Sequence, residues 1–333
     1  STILFGASGT ASVEAVISSI FHKDHRLVIV NNGSYGKRIL DIDQPQSFTL
    51  KRQQRIVANV TFCVRDFSRY VRYFAFNSIF QSTAQSNRKS TSKTILELKI
   101  LKIFKELEAK KNIPFYAYIE ADNKRSLMMS ERFNFHIYTH IISRTFSRVA
   151  PKKNKNISFS NDWEAISNLV YAHYGHYDSY FDTHVKKPPF VTLRDGSGAI
   201  KAFGRFTKVT WRLHRLPGIF GGALVRVLPH IPILNKLIQP KKHLFLTPDI
   251  VSHTASVEQL QELFVGALAL YDVKSLIWFV DPNDPLYQIT SSGFSWGILD
   301  KIIGIKKINV VKRNTSNKYS SEKPFFVSSL DLI

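Results

Sequence analysis

Cysteine is almost absent from this chain of 333 residues, in which Cys63 is the one thiol. An intrachain disulfide is therefore excluded, and so are zinc sites built on several thiolates. Such sparing use of cysteine is typical of proteins in reducing compartments, so we expect a cytoplasmic location.

Acidic residues are also scarce. The chain has 25 Asp and Glu against 46 Lys and Arg, which gives a net charge of +21. This imbalance favours anionic partners: nucleic acid, a phosphate-bearing cofactor or an anionic membrane surface. The alternative is positive charge spread over a solvated surface.

Long uninterrupted hydrophobic runs are missing as well. The most apolar long segment, 216–238, is broken by Arg226, His230, Lys236 and several Gly and Pro residues. We therefore expect no transmembrane segment, because a membrane-spanning helix needs about 20 apolar residues. A buried loop with a short helix is the favoured interpretation, and a lid, an acyl-chain groove or a membrane-surface contact stays open. No signal peptide is expected after Ser1.

Apolar patterning predicts an α/β fold in which one arrangement occurs twice. The order strand, long helix, strand, short helix, strand appears first with Ile95, Leu98, Leu101 and Phe104 at helical spacing. It returns after the basic stretch 151–156, with a long helix near 256–271 and a final strand at 324–332. The segments 119–135 and 280–296 are also alike, which argues for two copies of one unit.

A spaced set of residues follows the predicted strand 114–120. Its members stand at offsets 0, 3, 6, 7, 11 and 12: Asn123, Ser126, Met129, Ser130, Asn134 and Phe135. This pattern resembles the GNAT acyltransferase superfamily, which has Asn, a small residue, Leu, Tyr, Gly and Phe there. The resemblance implies two GNAT-like mixed-sheet α/β units: an incomplete one at 44–150 and a second at 157–333, joined by a linker at 151–156. Ser130 stands where many members carry the tyrosine that protonates the leaving thiolate.

The resemblance also implies acetyl-CoA or another acyl-CoA as cofactor, with its pyrophosphate at the start of the long helix. The matching stretch, 85–93, lacks the family's glycines. Charge and hydroxyl donors would have to compensate, and the candidates for cofactor binding are Arg88, Lys89, Ser90, Thr91, Ser92, Asn123, Ser126 and Asn283. A solvated basic loop is the alternative.

In the second unit the nearest polar candidates for catalysis are Asp281, Asp284, Tyr287 and His253. Tyr287 lies four residues after Asn283, and the family's acid would lie seven after. A core or rim tyrosine is therefore the favoured interpretation of Tyr287, while Asp281, Tyr287 and Ser130 stay the candidate catalytic residues.

Two further patterns have competing interpretations. His173, His176, Asp178 and His184 could ligate a metal, but they alternate with tyrosines, which favours a polar, aromatic groove. Arg205, Lys208, Arg212, His214 and Arg215 alternate with apolar residues and could contact nucleic acid. A half-buried strand explains that alternation more simply, so nucleic acid is not favoured.

The opening residues carry two motifs, SGTASVEAVISS at 8–19 and NNGSYGKR at 31–38. Together they resemble class V aminotransferases, particularly the 2-aminoethylphosphonate–pyruvate type. The resemblance implies that 1–43 is a fragment of pyridoxal-phosphate (PLP) fold-type-I character, in which Ser8, Gly9 and Thr10 would hold the phosphate of PLP. Aminotransferases also need a Schiff-base lysine, and no lysine here matches its context.

These patterns favour an acyl-CoA-dependent N-acyltransferase that transfers an acyl group to a small-molecule amine. A PLP-dependent aminotransferase fragment without its catalytic lysine is one alternative. A degenerate GNAT-fold binding protein that performs no catalysis is the other.

Overall fold

The computed structural model describes residues 46–52, 55–76, 91–110, 112–182, 185–213, 227, 230–232, 234–253, 256–290, 293–313 and 322–332. Contacts divide the chain into two units. Unit 1 comprises 1–138 and 310–318, and unit 2 comprises 139–309 and 319–333. The predicted fragment 1–43 lies outside the described residues, and the boundaries at 44, 151 and 157 stay predictions.

Unit 1 begins with three antiparallel strands rich in Val, Phe and Tyr, which favour the pleated conformation. A long helix, a strand parallel to β3 and a shorter helix follow. The elements are β1 (Gln46–Arg52), β2 (Arg55–Val64), β3 (Arg69–Phe76), α1 (Thr91–Lys110), β4 (Phe115–Glu120) and α2 (Lys124–Arg132). The last four residues of β11 (Lys306–Arg313) and the first three of β5 (His136–Ser147) also belong to unit 1.

An aromatic core holds unit 1 together. Phe104 of α1 packs edge-on against Phe62 of β2 and Phe115 of β4, with ring centroids 5.4 Å and 5.0 Å away. The buried stripe of α1 is Ile100, Phe104 and Leu107, at positions i, i+4 and i+7. Leu98 is 60% exposed, so the predicted apolar stripe is wrong at that position.

Unit 2 is a mixed sheet in the order β5, β10, β9, β8, β7, β6, and its β9–β10 pair is parallel. The pairs β5–β10, β6–β7, β7–β8 and β8–β9 are antiparallel. The strands are β6 (Ile157–Ser160), β7 (Phe190–Arg194), β8 (Ile200–Trp211), β9 (His243–His253) and β10 (Ser275–Val280). The helices are α3 (Glu164–Tyr174), α4 (Leu234–Leu237), α5 (Val257–Leu270), α6 (Pro285–Thr290), α7 (Ile298–Ile303) and α8 (Ser329–Leu332).

Both faces of the unit 2 sheet are covered. Helix α5 buries Leu260, Leu263, Phe264, Ala267 and Leu268 against one face. Helix α3 and the loop after it cover the other face with Ile166, Val170, Tyr174 and Phe181. Burial on both faces explains why β10 is a nearly continuous apolar run.

The mixed α/β fold expected from the sequence is confirmed, with local corrections. The predicted strand 324–332 is wrong: Phe325 forms a single bridge with Asp178, and α8 follows. Asp178 causes this, because its main-chain N–H donates to Pro324 O and its C=O accepts from Phe326 N. After α3 the chain continues through turns near Tyr177. The short β6 and the polar-edged β11 went unpredicted.

Gly266 allows α5 to lie directly against β6. A Cβ at this position would come within 2.8 Å of Ile157 Cγ2 and 3.1 Å of Ile157 Cβ. The backbone fixes Ile157 Cβ, and moving Cγ2 requires a change of χ1 in a branched side chain whose rotamers are restricted.

We predict that Gly266→Ala lowers the free energy of unfolding by about 1–3 kcal/mol, because overpacking outweighs the better helix propensity of alanine. Urea denaturation measures the change. The matched control is Gly196→Ala, where a new Cβ meets nothing within 4 Å. An unchanged midpoint for Gly266→Ala would show that β6 does not constrain α5.

Candidate functional site

In each unit, the strand that precedes the long helix has one residue more than the opposing stretch of the strand it pairs with. These strands are β3, before α1, and β9, before α5. In unit 1 the register between β2 and β3 passes from Thr61–Tyr73 to Phe62–Val71, which leaves Arg72 as the extra residue. In unit 2 it passes from Arg205–Ile250 to Phe206–Pro248, which leaves Asp249. Such β-bulges change the direction in which main-chain groups point and are frequent beside active sites.

The bulged strand also loses its parallel neighbour in each unit. Tyr70 of β3 pairs with Tyr116 of β4, and Leu246 of β9 pairs with Leu276 of β10. Toward the carboxyl ends, the described parts of these strands share no further register pair. We call the resulting gaps the unit 1 cleft, between β3 and β4, and the unit 2 cleft, between β9 and β10.

A tyrosine hydroxyl occupies the unit 2 cleft. Tyr174 Oη donates to Val251 O at 2.8 Å and accepts from Val251 N at 3.0 Å. The N–H and C=O of one strand residue point to the same edge, so the hydroxyl replaces the main-chain partner that β10 would supply. Burial raises the pKa of Tyr174 well above its ordinary value, so the hydroxyl keeps its proton.

The carboxylate of the bulge residue Asp249 is completely buried and fully bonded. It forms an ion pair with Arg205 and accepts hydrogen bonds from Thr207 Oγ1 at 3.2 Å and from the backbone N–H of Ser329 at 3.2 Å. The Ser329 hydroxyl donates to it as well. This network ties the segment 324–332 to β9.

A second carboxylate, at the end of β10, holds the same segment. Asp281 accepts from Phe325 N at 2.9 Å and from Asn283 N at 2.8 Å. Burial raises the pKa of Asp281. Phe326 then packs its ring edge-on against Tyr174 and Tyr180. The candidate catalytic group Asp281 therefore has both carboxylate oxygens committed to main-chain donors.

One hydrogen-bonded group in unit 2 could carry a proton. The Tyr177 hydroxyl lies 3.0 Å from His173 Nε2, which is 3.7 Å from Asp284 Oδ1. Burial, followed by the nearby Asp284 charge, raises the pKa of Tyr177, so its hydroxyl stays protonated. The other predicted candidates lie elsewhere: Tyr287 packs on Trp278 in the core, and His253 ends β9.

The residues matched to the GNAT pattern form the ends of α2 in unit 1. Asn123 is the N-cap residue and accepts from Ser126 N at 3.1 Å. Asn134 has φ of +59°, a left-handed conformation that suits Gly and tolerates Asn. Ser130 is buried and donates its hydroxyl proton to Leu127 O at 2.8 Å. In unit 2 the capping side chain is Asp284, which accepts from Leu286 N, and not Asn283.

Aromatic rings line the β3–β4 side of unit 1. Tyr70 lies 5.3 Å from Tyr116 and 5.7 Å from Tyr118, measured between ring centroids. Thr91 and Ser92 are the first residues of α1. The other predicted phosphate ligands lie outside the described residues: Arg88, Lys89, Ser90, Ser8, Gly9 and Thr10.

The remaining sequence patterns are described in part, because His184, His214 and Arg215 lie outside the described residues. Arg205 pairs with Asp249, and Lys208 Nζ donates to Tyr271 O, so part of the basic alternation of β8 serves internal bonding. Across the part of the chain that the structure describes, no three His, Cys, Asp or Glu side chains are grouped to hold a metal ion. Within the same residues, no helix is long and apolar enough to cross a membrane.

Comparison with known proteins bears on both resemblances, although no family model matches the chain. A 2-aminoethylphosphonate–pyruvate transaminase of Bacillus thuringiensis (strain Al Hakam) is 51% identical over 41 residues, which are 12% of this chain and only 11% of that enzyme.

Among solved structures, a GCN5-related N-acetyltransferase from Sphaerobacter thermophilus has a TM-score of 0.42 and 12% identity, over 78% of this chain and 77% of that one. A tandem GNAT protein from the clavulanic acid biosynthesis pathway has a TM-score of 0.46 and 8% identity, over 83% and 85%. Both structural likenesses have TM-scores below 0.5, and the likeness to the transaminase covers 12% of this chain.

Sequence reasoning missed Tyr174, Val251 and Asp249 as the residues that shape the unit 2 cleft. Pro248 was the available signal, because proline inside a strand marks a bulge or an edge. Nothing comparable precedes Arg72 in unit 1.

We predict that Tyr174→Phe lowers the free energy of unfolding by about 1–3 kcal/mol, because both Val251 main-chain groups lose a buried partner. Tyr180→Phe is the control, since Tyr180 Oη is buried and has no hydrogen-bond partner among the described residues. Its removal should change stability by less than about 0.5 kcal/mol. Equal effects of the two substitutions in chemical denaturation would contradict this assignment.

Proposed function

We propose that this protein is an acyl-CoA-dependent N-acyltransferase of the GNAT type, with an amine as acceptor. The observation that carries the proposal is the bulged strand that parts from its parallel neighbour just before a long helix. A parted strand presents main-chain N–H groups to a ligand, and a helix start favours negative phosphate.

The chemistry requires little from side chains. Acyl-CoA would supply the acyl group as a thioester. Main-chain N–H groups of the bulged strand would hold the thioester oxygen and stabilise the negative charge that develops there. The acceptor amine must lose a proton and the departing thiolate must gain one, so a proton donor or water must reach the cleft.

Unit 1 is the cofactor-binding unit in this proposal. The Val251 N–H and C=O in unit 2 are already bonded to Tyr174, and the carboxylates of Asp249 in β9 and of Asp281 after β10 hold the segment 324–332. A pantetheine chain, which binds through amide groups, would have to displace the Tyr174 hydroxyl from Val251. Unit 1 has the same bulge and the same parting of strands.

The stretch 85–93 would bind the pyrophosphate of the cofactor. Arg88 and Lys89 would supply charge, while Ser90, Thr91 and Ser92 would supply hydroxyl and helix-start donors in place of glycines. Asn123 and Ser126 fix the start of α2 beside β4. Asn283 would serve the same purpose only in a cofactor-binding unit 2.

The candidate side chains are poorly placed to donate a proton to the leaving thiolate. Ser130 stands at the position of the family's tyrosine but already donates its proton to Leu127 O. The candidates in unit 2 are Asp281 and Tyr287, and Asp281 accepts hydrogen bonds from two main-chain N–H groups. We therefore propose that solvent protonates the thiolate and that transfer is slow.

The hydrogen bond from the Ser130 hydroxyl to Leu127 O supports a second candidate function. A GNAT-fold protein that binds acyl-CoA without transferring the acyl group needs no proton donor, and Ser130 would then serve only to stabilise α2. The two candidates differ in turnover and not in binding.

Isothermal titration with acetyl-CoA tests cofactor binding. We predict binding by the unmodified chain and an affinity at least about tenfold weaker for the double variant Arg88→Ala/Lys89→Ala, because two charges leave the phosphate site. Release of free thiol in the presence of amines then separates transferase from binding protein.

The matched control is Lys152→Ala/Lys153→Ala, which removes the same charge from an exposed stretch of unit 2. It should bind acetyl-CoA like the unmodified chain. No heat at millimolar cofactor, or equal loss of affinity in both double variants, would sink the proposal.

A further inference from the structure

Helix α7 carries both buried and exposed apolar side chains. Leu299 and Ile303 pack with Leu234, Leu237 and Ile238 in a small hydrophobic cluster. Ile298 and Ile302, at i and i+4, share a side of the helix that flanks the buried one, and they are 40% and 42% exposed. Ile305, which follows the turn at Gly304, is 53% exposed.

The element packed against α7 adds exposed apolar residues. Ile231, in the turn before α4, is 40% exposed although Leu234, Leu237 and Ile238 just after it are in the α7 cluster. We call Ile231, Ile298, Ile302 and Ile305 the isoleucine patch. Its members come from two segments of unit 2 whose buried residues share one cluster.

Exposed lysines are frequent in the same two segments. Lys301, Lys306 and Lys307 are exposed on or just after α7, and Lys236, Lys241 and Lys242 are exposed on or just after α4. The acidic residue of α7, Asp300, is neutralised by Arg144, whose Nη2 lies 2.6 Å from Oδ2 and whose Nε donates to Oδ1 at 3.2 Å. The exposed charge of this surface is therefore positive.

We propose that the isoleucine patch and its lysines bind the surface of an anionic lipid bilayer. Apolar side chains on a basic surface match the acyl-chain boundary and the headgroups of such a membrane. A second copy of this chain fits poorly, because pairing two patches would bring lysine against lysine. A nucleic acid would match the lysines but not the isoleucines.

Co-sedimentation with vesicles tests the proposal. The full chain should bind phosphatidylcholine vesicles that contain about 30% phosphatidylglycerol, bind pure phosphatidylcholine weakly, and lose most binding in about 0.5 M NaCl. Ile298→Ser/Ile302→Ser/Ile305→Ser should weaken binding to the anionic vesicles at least about tenfold. Lys301→Glu/Lys306→Glu should weaken it as strongly without changing the apolar residues.

The matched control is Leu98→Ser/Met128→Ser, which removes two apolar side chains exposed by 60% and 62% in unit 1. It should bind vesicles like the unmodified chain. Three results would overturn the proposal. The first is no binding to the anionic vesicles, and the second is an equal loss of binding in the control and the isoleucine variant. The third is an isoleucine variant that binds vesicles normally but sediments more slowly in the absence of lipid, which would indicate a dimer interface.

Discussion

The buried carboxylate of Asp249 is the constraint on which the arrangement of unit 2 depends. An ionised group without solvent must be fully paired, and Asp249 achieves this with Arg205, Thr207 and Ser329. Its partners come from β8 and from the segment 324–332. The extra residue in β9 therefore determines where that segment lies and, through Phe326 and Tyr174, what occupies the neighbouring cleft.

Both units contain a β-bulge followed by the separation of two parallel strands, but the residues around this feature differ. A bulge followed by parting strands leaves main-chain groups to be satisfied by something other than the next strand. In unit 2 the chain supplies Tyr174 for this purpose. A protein with two such clefts can thus keep one as part of its own core while the other serves a ligand, which is the division of labour we propose.

Much of the fold was predictable because its signals are local. The long helices and the strands beside them follow from apolar spacing, and Asn134 takes a left-handed conformation where the family has Gly. The segment 324–332 was mistaken for a strand, because main-chain bonds to Asp178 and to two distant carboxylates fix its course, while aromatic rings bury Phe326. Long-range contacts of that kind leave no periodic signature in the sequence.

The candidate site was less predictable for the same reason. Matching a motif identified Asn123 and Ser130, but motif spacing cannot show that the Ser130 hydroxyl bonds to its own helix. Tyr174 was recognised as one of several tyrosines, and its contact with Val251, 77 residues away, depends on tertiary structure. Pro248 was the single local signal of the bulge beside it.

Hydrogen–deuterium exchange with and without acetyl-CoA tests the division between the two clefts most directly. The account predicts that the cofactor slows exchange in peptides covering 85–95 and leaves peptides covering 247–253 and 324–332 unchanged. Slower exchange at 247–253 with no change at 85–95 would contradict it, because the cofactor would then bind in unit 2.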